Sequence, residues 1–135
     1  MTRATGIRGI GIDLVSIPRF VRSARQAGFL EHVLGPEELV ALPSEPEARV
    51  IAAALRFAVK EAVLKAVGTG AWQEGTDFPD VRVDVRGSGQ IDVTLSAATA
   101  RLVAAVGPCQ VRATATRHGD RFLATAILST AVCQA

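Results

Sequence analysis

The chain of 135 residues has no tyrosine, one tryptophan and five phenylalanines, so aliphatic Ala, Val, Leu and Ile must fill its core. Cysteine is almost as scarce. Cys109 and Cys133 have neither CxxC spacing nor a histidine cluster beside them, which excludes a disulfide framework or a zinc site and leaves buried, reduced thiols. A net charge of +2 is too small to imply nucleic acid, although it allows a local basic patch for an acidic partner. No apolar run reaches the roughly 18 residues of a membrane span. Arg3 and Arg8 sit near the start without a signal-type hydrophobic segment, so the expectation is a cytoplasmic protein with no membrane contact. With 49% hydrophobic and 21% charged residues, positions 1–135 read as a single globular domain large enough to bury a core.

Arg8–Val15 reads as a first strand, apolar and punctuated by glycine, with Asp13 near its end. Ser16 and Pro18 supply the cap and early proline of a helix running to about Gln26. Short helical pieces follow over Phe29–Leu34 and from Pro36, where Glu37 and Glu38 fall in a first turn. The longest element starts near Ser44 and Glu47, spaced as a capping box, and runs to about Val67 before the terminator Gly68. Alternating Val81, Val83, Val85 and Ile91, Val93, Leu95 around Gly87-Ser88-Gly89 predict a hairpin. Ser96 caps a helix to about Val106, and Gln110–Thr116 with Phe122–Thr130 make a second hairpin. The expected architecture is α+β, an antiparallel sheet packed on a long helix.

Chemistry concentrates in Phe57–Gly70. On a helix, Phe57, Glu61 and Lys65 stack at i, i+4, about 5–6 Å apart, and Arg56 with Lys60 forms an adjoining pair. Glu61 is thus surrounded by Arg56, Lys60 and Lys65 among apolar neighbours. A solvated Glu–Lys helix pair is one reading. The other is a carboxylate held for a charged ligand, because a buried acid is costly without one. Asp13 is either a turn acid or the second carboxylate of such a site. Magnesium takes one or two carboxylates and completes its octahedron with water and substrate phosphate, while lysines hold charge that develops during phosphoryl-type transfer. Gly68-Thr69-Gly70 reads as a helix stop or as a backbone cradle for phosphate. His118 in the last turn and His32 read as surface residues. Arg19 and Arg22 face solvent or an acidic protein.

Two motifs carry a resemblance. Gly9-Ile10-Gly11-Ile12-Asp13 with Arg19, and Arg56-Phe57-Ala58-Val59-Lys60-Glu61-Ala62-Val63-Leu64-Lys65-Ala66-Val67-Gly68-Thr69-Gly70, resemble the signatures of the holo-(acyl-carrier-protein) synthase family of 4′-phosphopantetheinyl transferases. The stretch Phe29–Leu39 between them is similar as well. The resemblance implies a small α+β fold that forms a homotrimer with its active sites between subunits. It implies coenzyme A as donor and the serine of an apo acyl carrier protein, of fatty acid or polyketide synthesis, as acceptor. Adenosine 3′,5′-bisphosphate would leave. Asp13 and Glu61 would hold Mg2+, with Lys65 against the reacting phosphate and Arg56 at the 3′-phosphate. Lys60, Gly68, Thr69, Gly70 and His118 would join the coenzyme A site, and Arg19 and Arg22 would meet the carrier protein.

The first hairpin, Gly87-Ser88-Gly89-Gln90, lacks the family's cation and proline. Either Ala115 or His118 falls where the family has a histidine. Both segments belong to the half of the site that the resemblance assigns to a neighbouring subunit. An alternative is therefore a protein of the same fold that binds coenzyme A or carrier protein with little transfer, or an assembly subunit.

Overall fold

Twenty-two residues, Pro46–Val67, form the long helix α4, around which a computed structural model arranges the rest of the chain. Residues 6–68, 77–104 and 109–130 are described. In chain order they run β1 (Ile7–Ser16), α1 (Ile17–Ala24), α2 (Phe29–Val33), α3 (Pro36–Ala41), α4, a 3-10 turn (Phe78–Asp80), β2 (Val81–Val85), β3 (Ile91–Leu95), α5 (Ala97–Ala104), β4 (Cys109–His118) and β5 (Arg121–Thr130). The α+β expectation holds, with the sheet divided in two. One sheet has the antiparallel order β1-β5-β4, and β2 pairs with β3 in a separate hairpin. Thr69, Gly70 and Cys133 lie outside the described residues, and Cys109 is half-buried.

Local chemistry sets the limits of α4. Its N-cap is Glu45 rather than Ser44: the Glu45 carboxylate accepts from the N–H groups of Glu47 and Ala48 at 3.0 and 2.8 Å, and Pro46 fills the position that needs no donor. At the other end Gly68, at φ 85°, returns its N–H to the carbonyls of Leu64 and Lys65. Ala53, Ala54, Ala58, Val59, Ala62, Val63 and Leu64 are fully buried, which confirms the aliphatic core. The few rings are gathered rather than scattered. Phe20 lies 5.5 Å from Phe29 and 5.3 Å from Phe57, and Phe57 lies 5.3 Å from Phe78 between ring centroids.

Strand β1 lies directly on the helix backbone. A Cβ on Gly11 would stand 1.8 Å from the Ala62 carbonyl oxygen, and one on Gly9 would stand 1.8 Å from that of Ala66. Two strand residues advance about 6.7 Å, close to the roughly 6 Å of four helical residues. The glycines therefore match successive helical turns. Asp13, next on the same face of the strand, falls level with the turn Phe57–Glu61.

Gly11→Ala forces strand and helix apart and should cost about 3 kcal/mol or more in urea unfolding. Gly87→Ala, where a Cβ meets nothing within 4 Å, should stay within about 0.5 kcal/mol. Equal losses would contradict the close-contact account.

Candidate active site

Asp13 reaches the site from the last residues of β1, paired with Ala124 on β5, so its backbone is fixed by the sheet. Lys65 spans the gap from α4. Its Nζ donates to Asp13 Oδ1 at 2.8 Å and to the Ile12 carbonyl at 3.2 Å. The Asp13 side chain is 15% exposed and that of Lys65 48%, leaving the amine open to a ligand on its other side. The i, i+4 neighbour of Glu61 is thereby drawn to Asp13. Glu61 is half-buried, and burial first and the Asp13 charge second push its carboxyl up, partly offset by Lys65.

Asp13 and Glu61 open into a cleft of 580 Å³ lined by Ser16, Arg19, Phe20, Ser23, Phe29, His32, Phe57, Phe78 and Arg121 among others. Its walls come from β1, α1, α2, α4, the 3-10 turn and β5. The floor is aromatic and the rim cationic, with Arg19 exposed on α1 and Arg121 on β5. Arg22 is also exposed on α1, outside the cleft lining. His32, read as surface, is exposed but set edge-on to Phe78 at 6.1 Å. His118 ends β4, exposed and paired in register with Arg121, and is not among the lining residues.

One expected phosphate ligand takes another place. Lys60, expected in the coenzyme A site, is fully buried against α3 and the 3-10 turn. There its Nζ donates to Glu38 Oε1 at 2.6 Å and to the Phe78 carbonyl at 3.1 Å. This corrects the sequence reading: a lysine sealed from solvent and ion-paired cannot receive a phosphate. Neighbours in a helix sequence point about 100° apart, and here Lys60 turns to Glu38 while Glu61 lines the cleft. Arg56 is also buried. Its Nη1 donates to the Ala52 carbonyl at 3.1 Å, while Nε has no hydrogen-bond partner among the described residues. Burial lowers its proton affinity, and Glu38 and Asp84 oppose that. Glu38, Phe78 and Arg121 were missed from sequence. For Glu38 a signal existed: a lysine amid apolar helix residues requires an acid.

Among the described residues no cluster of three or more His, Cys, Asp or Glu could hold a metal ion by itself. Two carboxylates forced together under partial burial nevertheless fit a hard divalent cation that takes its other ligands from water and phosphate. Acid pair, amine and cationic rim define equipment for an enzyme acting on a phosphate-bearing substrate.

Comparison with known proteins agrees with that class. Residues 9–125 match the model of the 4′-phosphopantetheinyl transferase superfamily. The holo-(acyl-carrier-protein) synthase of Clavibacter sepedonicus is 37% identical over 92% of this chain and 95% of its own. The structure of the synthase from Neisseria meningitidis superposes with a TM-score of 0.79 at 30% identity, covering 91% of this chain and 98% of that one. That of Helicobacter pylori, in complex with coenzyme A, gives 0.74 at 26% identity over 88% and 98%. The chain belongs to the holo-(acyl-carrier-protein) synthase family of 4′-phosphopantetheinyl transferases and is an enzyme of that kind.

The raised Glu61 pKa has a pH signature. Above its ordinary value near 4.5, the folded chain holds the Glu61 proton more tightly than the unfolded chain, so metal-free stability falls as pH rises through the folded pKa. Glu61→Gln removes this loss. In EDTA, its urea midpoint relative to the parent should rise between pH 4 and pH 7.5; a flat or falling difference would contradict the assignment.

Proposed function

We propose that the chain transfers 4′-phosphopantetheine from coenzyme A to the serine of an apo acyl carrier protein, releasing adenosine 3′,5′-bisphosphate. The observation that carries this reading is the meeting of Asp13, Glu61 and Lys65 at the mouth of one cleft, in a chain of this family. Asp13 and Glu61 would hold Mg2+, which when bound neutralises pyrophosphate charge and polarises the phosphorus under attack. Lys65 turns its free side to the phosphate and balances charge that shifts toward the leaving oxygen. The serine oxygen forms a bond to phosphorus as the bond to adenosine 3′,5′-bisphosphate breaks. The hydroxyl proton passes to water in the open cleft or to Glu61.

Arg56 has an unmet buried donor, which supports an anionic partner there, the 3′-phosphate. The N–H of Gly68 closes α4 on the Leu64 and Lys65 carbonyls, so the phosphate contacts expected of this turn would fall to Thr69 and Gly70, and His118 would serve a neighbouring copy's coenzyme A. Arg19 and Arg22 would dock the acidic acceptor. One face of the larger sheet leaves Ile10, Ile12 and Leu14 at 59, 57 and 56% exposure beside Ile127 and Leu123. An apolar face of this kind supports the homotrimer. No described helix is long and apolar enough to cross a membrane, and the cytoplasmic location is carried over from the sequence reading.

Intact-protein mass spectrometry of apo carrier proteins with coenzyme A and magnesium should show one added phosphopantetheine. Asp13→Ala or Glu61→Ala should lower turnover about 100-fold or more. Coenzyme A binding without any mass gain would favour the binding-protein alternative. Arg19→Glu should raise the KM for carrier protein about tenfold or more and leave that for coenzyme A unchanged, since reversed charge at a docking rim opposes an acidic partner.

A further inference from the structure

Lys60 and Glu38 form the one ion pair among the described residues that is closed to solvent, with side chains 0% and 1% exposed. The Glu38 carboxylate also accepts from the Gly35 N–H at 3.0 Å and the Val83 N–H at 3.1 Å. With the bond from Lys60 to the Phe78 carbonyl, the pair ties α3, α4, the 3-10 turn and β2 at a single point. Arg56, one turn earlier, faces the same carboxylate from the same side of α4.

We propose that this pair is a positioning element for the transfer reaction, setting the rotation of α4 and so the placement of Glu61 and Phe78 in the cleft. The proposal rests on the reading of Asp13 and Glu61 as the cation site. Lys60 and Glu61 are consecutive, so anchoring one fixes the direction of the other. A side-chain oxygen about 6 Å from the helix axis moves about 1 Å for a rotation of about 10°. A displacement of that size can cost about 100-fold in rate. Elsewhere α4 meets β1 through the half-exposed bridge from Lys65 to Asp13 and, in the packed interior, through Gly9, Gly11, Ala62 and Ala66. Those small residues set the distance of approach and offer no large side chain to resist turning. The pair supplies directional bonds where the packing is smooth. Its second link acts on the cleft directly: the Phe78 carbonyl that Lys60 holds belongs to the residue whose ring lies tilted against Phe57.

Removing Lys60 alone would strand a buried carboxylate and endanger the fold. The decisive variant is therefore Lys60→Met with Glu38→Gln, which removes both charges and keeps an acceptor for the backbone N–H groups. It is compared with the parent for urea midpoint, for manganese affinity by electron paramagnetic resonance with coenzyme A present, and for kcat and KM. The expected result is a folded protein whose manganese affinity and kcat both fall about tenfold or more, with the KM for carrier protein unchanged because Arg19 is untouched. Parent-like manganese affinity and kcat in the folded double variant would overturn the proposal and leave the transferase reading standing. A parent that binds no manganese would bring down the cation-site reading and this proposal with it. If the double variant does not fold, Glu38→Gln alone carries the same comparison; failure of both to fold would make the pair a requirement of folding and overturn the positioning role.

Discussion

The contact between β1 and α4 is a contact of backbones. A strand and a helix ordinarily meet through side chains, but at Gly9 and Gly11 there is no room for even one methyl group. The strand is drawn against the carbonyls of Ala62 and Ala66, and its own hydrogen bonds to β5 hold it there. Because strand and helix advance by nearly equal steps, Asp13 is delivered beside the turn that carries Glu61. Lys65, one turn further on, is left near enough to bridge. The placement of the two acids follows from a steric permission granted two and four residues earlier in the strand.

That arrangement keeps two acids in partial burial, and the helix distributes its charges around them. On one side Glu61 lines the cleft and Lys65 bridges to Asp13, its amine only half covered. On the other, Lys60 and Arg56 point inward to Glu38. The two sides act differently because their solvation differs. The open pair can exchange partners with an incoming phosphate at little cost. The closed pair cannot open without leaving a charge stranded in a dry interior. The proposed transfer would use the mobility of the first, and the proposed positioning role the immobility of the second.

Around this centre the fold leaves surfaces that a lone subunit does not use. The cleft has a phenylalanine floor and an arginine rim, suited to an acidic partner with an apolar side chain to bury. The outer face of β1 and β5 is apolar although it faces solvent. His118 and the Gly87–Gln90 turn stand away from the cleft of their own subunit. Such a distribution is compatible with the proposed homotrimer, in which a neighbouring copy would bring these edges to the carboxylates.

Much of this was legible in the sequence because it depends on local rules. The limits of α4 follow from capping and glycine chemistry, and the hairpins from alternation. The choice of Asp13, Glu61 and Lys65 came from charged residues in otherwise apolar segments and from motif resemblance. Even there, the cap fell on Glu45 rather than Ser44, since a longer carboxylate reaches the same N–H groups. Lys60 was out of reach of such reasoning. A sequence shows it beside Glu61, but which of two adjacent helical residues meets the core depends on what packs against each side. Glu38, 22 residues away in the chain, settles that. The chain by itself determined which groups carry charge and which segments are helical or extended, because those depend on neighbours in sequence. Only the tertiary structure decided which charges are buried as a lock and which stay open to substrate, because burial is set by residues distant in the chain.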